Sequence, residues 1–129
     1  MAGLLAGAGM GLAKPADVHG YPGPLHVLEA ADTLALTDSQ RAAADSIRQA
    51  MLAETTALGA QLVEVERHFD AAFQRGDIDE AAVDRMTAHA AALRGRIRAA
   101  HLKAHLAMEP VLSPQQIATY ERLRGRGSP

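Results

Sequence analysis

Cysteine is absent from this chain of 129 residues, so neither disulfides nor thiolate chemistry is available to it. That leaves the redox compartment open while suiting an oxidising one. Aromatic residues are nearly as scarce, being only Tyr21, Phe69, Phe73 and Tyr120, and the formal charge is -2 from 13 basic and 15 acidic side chains. With no basic surplus and no stacking platform beside the arginines, nucleic acid is disfavoured as a partner. No apolar run approaches the ~20 residues a membrane-spanning helix needs. The serines Ser39, Ser46, Ser113 and Ser128 have cap or surface positions rather than a base and an orienting acid beside them, and Gly7 to Gly11 lacks the strand and lysine of a phosphate-binding loop. An enzyme is the weakest class.

What the chain does hold is alanine and helical spacing, which predict an all-α protein with one domain over residues 1–129. Thr37-Asp38-Ser39-Gln40 forms a capping box that opens a long helix running to Gln74, with Ile47, Met51, Leu58, Leu62, Val65, Phe69 and Phe73 on one face. Gly76 suits the left-handed residue after that helix, and Asp77 is expected to cap the next one with Glu80 at its third position. The second long helix is expected from Ile78 to about Glu109, its face carrying Val83, Met86, Ala90, Leu93, Ile97, His101, Ala104 and Met108. The two form a long antiparallel hairpin.

Short helices flank it. One is expected from Leu25 to Leu36 and another from Pro114 to Leu123, where Ser113, Pro114 and Gln116 make a second capping box and Leu112 staples onto Ile117. Residues 1–20 read as a poorly determined segment, a short helix from Gly3 to Lys14 followed by the turn His19 to Pro24; residues 124–129 read as a flexible tail. Ala2 to Ala13 can pass for the end of a secretory signal, but it lacks a basic start, so the true start is expected upstream unless this is a trimmed mature form. A hairpin hides apolar stripes along only one seam, so a homodimer of interlocked hairpins is expected to cover the rest.

Chemistry concentrates in His101-Leu102-Lys103-Ala104-His105-Leu106-Ala107-Met108. At about 100° per residue His101, His105 and Met108 share one helical face. A turn at Gly76 sets residues whose numbers add to roughly 153–155 opposite one another. His101 then faces Leu52 to Glu54, and Glu54 falls about 20° from Ile47, inside the apolar stripe. Glu54, His101, His105 and Met108 can therefore converge, with His26 or Glu29 joining if the preceding helix folds back. Imidazoles with a carboxylate suit zinc, nickel or cobalt, and a thioether tilts the choice towards copper. The same residues also read as a buried Glu54–His101 pair that fixes hairpin register, with His105 solvated at the edge. His68 and His89 read as solvated, and His19 lies in the turn.

Leu36-Thr37-Asp38-Ser39-Gln40 and Leu112-Ser113-Pro114-Gln115-Gln116, one on each side of the hairpin, resemble the LTxxQ proteins of the bacterial envelope: the Spy/CpxP type of periplasmic chaperone and its heavy-metal-resistance relatives. The resemblance spans about Tyr21 to Gly125, and the segments Tyr21 to Glu29 and His101 to Leu106 also look like a subgroup of periplasmic refolding chaperones or metal sensors. It implies export, a cradle-shaped antiparallel homodimer and a non-enzymatic role in envelope or metal stress. In nickel/cobalt sensors of this superfamily a glutamate on the first long helix and a His-x-x-x-Met on the second bind metal with an earlier histidine pair. Here Glu54 and His101 match in kind, His105 stands where the Met would be, and the earlier pair is missing. Two functions follow as expectations. In one, an apolar concave face bordered by Arg41, Arg48, Arg94, Arg96 and Arg98 holds unfolded envelope proteins without ATP, or docks a membrane sensor kinase. In the other, Glu54, His101 and His105 bind a divalent ion such as zinc, copper or nickel.

Overall fold

The computed structural model describes residues 10–125, and every regular element among them is helical. Helix α1 is the single turn Lys14–Asp17, entered through a 3-10 turn at Met10–Ala13. Helices α2 (Pro24–Glu29) and α3 (Ala31–Leu34) follow, then the long α4 (Asp38–Arg75) and α5 (Glu80–Met108), a 3-10 turn at Glu109–Val111, and α6 (Pro114–Leu123). The expected helix from Gly3 falls mostly outside the described residues, as does the tail beyond Gly125.

The long helices start where their caps put them. Thr37 Oγ1 accepts from Gln40 N and Gln40 Oε1 accepts from Thr37 N, both at 3.0 Å. At 1.5 Å per residue the 38 residues of α4 extend ~57 Å. Gly76, at φ +72°, turns the chain and returns its N–H to Ala72 and Phe73. The cap of α5 is Asp79, which accepts from Ala82 N at 2.8 Å; Asp77, expected in that role, instead accepts from Arg75 Nε at 3.0 Å. The loop is thereby two residues longer than expected. The expected helix from Leu25 to Leu36 is likewise two pieces, broken at Ala30 and ended by Ala35 in the left-handed region at φ +54°. A proline or glycine would have announced that break, and neither is present.

The helices α4 and α5 pack along one seam into an antiparallel hairpin with two apolar clusters. The distal one joins Leu58, Leu62 and Val65 to Ala90, Leu93 and Ile97. The proximal one gathers Val27, Leu34, Ala44, Met108, Leu112 and Tyr120 from five helices and the Leu112 linker. Between the clusters along the chain lie Thr55, His101 and His105, the buried polar side chains among the described residues. The seam thus has a polar waist.

Candidate functional site

The two capping boxes are locked to each other, a contact that their sequences do not announce. Gln40 Nε2 donates to Gln116 Oε1 at 2.8 Å and Gln116 Nε2 donates to Gln40 Oε1 at 3.0 Å. The second proton of each amide goes to a carbonyl on the far side: Gln40 to Val111 at 3.0 Å, Gln116 to Leu34 at 3.1 Å. Each oxygen also accepts its own cap N–H, from Thr37 at 3.0 Å and from Ser113 at 2.9 Å. Both amides therefore make all four hydrogen bonds that such a group offers. The clasp ties the start of α4 to the start of α6 and closes the open end of the hairpin.

The waist is the second feature. His105, 9% exposed, presents Nδ1 to the Tyr21 carbonyl at 2.6 Å. Since a carbonyl only accepts, the proton sits on Nδ1. On the other side of the ring Nε2 faces Gly23, where an added Cβ would stand 2.7 Å away. The turn between Pro22 and Pro24 can thus approach the imidazole this closely only because Gly23 has no side chain. His101, 8% exposed and one turn earlier, has its pKa lowered from 6.5, first by burial and then by repulsion from His105. It is held neutral.

Of the residues expected to converge here, His101 and His105 lie together, one turn apart on α5. Glu54 is exposed, which corrects its expected burial beside His101. The stripe is centred on Ala44 and Leu62, both fully buried, and Glu54 lies about 80° from each. Ile47, the reference for the expectation, is an edge residue of intermediate exposure. Met108 is fully buried in the proximal cluster. His26 pairs with Glu29 on its own helix at 3.1 Å. Among the described residues no group of three or more His, Cys, Asp or Glu side chains is placed to hold a metal ion.

A strap lies along α5 beside the waist. Leu12 packs against the distal cluster and Ala13 is buried, while the Leu12 carbonyl accepts from Arg98 Nε at 3.2 Å. Farther along, Tyr120 Oη donates to Asp17 Oδ1 at 2.7 Å, and Arg124 stands 3.5 Å from the other carboxylate oxygen. Arg94, expected on the rim of an apolar face, pairs with Glu66 across the seam at 3.4 Å, and Arg41 lies 3.8 Å from Asp32.

On α5, the side turned roughly 180° from Ile97 carries Ala88, Ala92, Gly95, Ala99, Leu102 and Leu106 at helical spacing. Leu106 is 58% exposed, and Arg96 and Lys103 run along one edge of the strip. Helix α5 is therefore apolar on two opposite faces, one used in the seam and one not. No described helix is long and apolar enough to cross a membrane. A model of the family described as "LTXXQ motif family protein" matches residues 25–124. No curated protein and no solved structure matches the chain.

Proposed function

Because the chain belongs to the LTXXQ motif family, we propose that it is a non-enzymatic periplasmic stress protein of the Spy/CpxP type, an ATP-independent chaperone that binds unfolded envelope proteins and works as a homodimer. The outer strip of α5 carries this reading. Small apolar residues leading to Leu102 and Leu106, edged by Arg96 and Lys103, offer shallow contacts and long-range charge rather than a shaped pocket. Contacts of that kind permit weak, promiscuous capture. The absence of cysteine suits an oxidising envelope.

Suppression of aggregation of a denatured, unrelated protein tests the reading. We expect suppression at stoichiometric dimer and its loss in Leu102→Glu with Leu106→Glu; no suppression by the unaltered chain rejects it. The divalent-metal role is the competing proposal, supported by two buried imidazoles one turn apart. It requires a third donor to move in, Glu54 by turning inward or His26 by leaving Glu29. Calorimetry with zinc, copper and nickel decides it, binding lost in His101→Ala with His105→Ala being the supporting result.

A further inference from the structure

We propose that Met10 to Tyr21 is a displaceable cover, and that the groove left where Leu12 packs against the distal cluster binds a Leu- and Ala-rich stretch of an unfolded polypeptide when the cover lifts. This adds a second contact surface to the outer strip of α5 and rests on the chaperone reading for its ligand class.

The cover itself shows what the groove accepts. It enters the floor with one leucine, Leu12, and one buried small residue, Ala13. Two of its polar attachments are made to its main chain, Arg98 donating to the Leu12 carbonyl and His105 to the Tyr21 carbonyl. Every polypeptide carries carbonyls, so those two donors recognise backbone rather than a particular sequence. An attachment that does depend on a side chain is Asp17, gripped by Tyr120 and by Arg124. The groove is general, and the latch is specific to the cover.

The cover is built to let go. A 3-10 turn and one turn of helix do not persist by themselves, since nucleation fixes several residues for each hydrogen bond gained. Ordering them is opposed by chain entropy, which places the segment among those that open locally without global unfolding. A pivot is present where it joins the body, Gly20 at φ +86° followed by Pro22-Gly23-Pro24. Competition between cover and ligand makes apparent affinity scale with the fraction of uncovered molecules.

The test uses the full chain, with Asp17→Ala and Leu12→Ala made separately and reduced, carboxymethylated α-lactalbumin as a permanently unfolded probe. Hydrogen exchange over Met10 to Tyr21 reports cover opening, and fluorescence anisotropy reports probe affinity. We expect each variant to speed exchange there several-fold while α4 and α5 stay protected, and to tighten probe binding by a similar factor. Leu102→Glu with Leu106→Glu weakens binding overall but leaves the relative gain from Asp17→Ala intact. Faster exchange with unchanged affinity overturns the inference while the chaperone reading stands, provided the unaltered chain binds. Exchange unchanged in both variants also overturns it. No probe binding by the unaltered chain or either variant removes the chaperone reading and this inference together.

Discussion

A methyl group on Gly23 would sit 2.7 Å from Nε2 and 2.9 Å from Cε1 of His105, closer than carbon atoms tolerate. His105 cannot simply swing away, because its other nitrogen holds the Tyr21 carbonyl. Gly23→Ala is therefore expected to cost about 1–3 kcal/mol, the usual range for overpacking, and His105→Ala in the same chain should recover part of it. Urea unfolding of the two single variants and the double measures that coupling. One turn away, His101 ties stability to pH. Its folded pKa lies below the ordinary 6.5, so the unfolded chain takes up the proton first. The contribution is present in full above about pH 6.5 and lost as pH falls below it. Unfolding free energy should decline from pH 7 towards pH 5.5, and the decline should be shallower in His101→Gln. The pairing of two imidazoles on one helical face was legible from their spacing alone. Their covering was not, because a main-chain carbonyl and a missing side chain leave no periodic mark, and Glu54 shares its angular position with Ile47, an edge residue that periodicity does not distinguish from the centre of the stripe.

At the level of elements, the caps were legible and their meeting was not. Thr37 with Gln40 and Ser113 with Gln116 form the boxes that the residues spell out, since a capping box is a local affair over four positions. The Gln40–Gln116 contact joins positions that only the completed hairpin brings together. Gln116→Ala should cost roughly 2–4 kcal/mol, as it removes several bonds and strands donors and acceptors of Gln40. Gln116→Glu should be at least as damaging, because a carboxylate brings oxygen against the Leu34 carbonyl where the amide donates. Pairing either change with Gln40→Ala should cost less than the sum of the two, and thermal unfolding reads that difference. The second hairpin helix supplies a sharper local test: Asp79→Ala removes a real cap and should cost about 1 kcal/mol, whereas Asp77→Ala breaks only an exposed pair and should leave the melting temperature unchanged.

Across the whole molecule, stability is graded along the hairpin. Every buried residue of the two long helices lies at or before Val65 on α4 and at or after Ala90 on α5, so the turn end is a projection without a core. There Phe73 is 62% exposed beside an open cleft of about 400 Å³, lined also by Ile78, Val83, Asp79, Glu80 and Asp84. The hairpin as such was legible, because a 3.6-residue period, two caps and a glycine are written locally; its uneven support was not, since apolar residues recur as regularly at Phe69, Phe73, Val83 and Met86 as they do in the core. Periodicity says which face turns inward and nothing of whether a neighbour waits there, as one does for Phe69 against the distal cluster and none does for the exposed Phe73. Amides from Phe69 to Val83 should accordingly exchange by local opening, well before those near Leu62 and Leu93. Gly76→Ala forces a side chain into the left-handed region, which costs roughly 1–2 kcal/mol. That cost falls on a segment which already opens independently, so exchange at the turn should accelerate about tenfold while protection at Leu62 and Leu93 hardly changes. Equal loss of protection at both places would mean that the turn folds as one unit with the core.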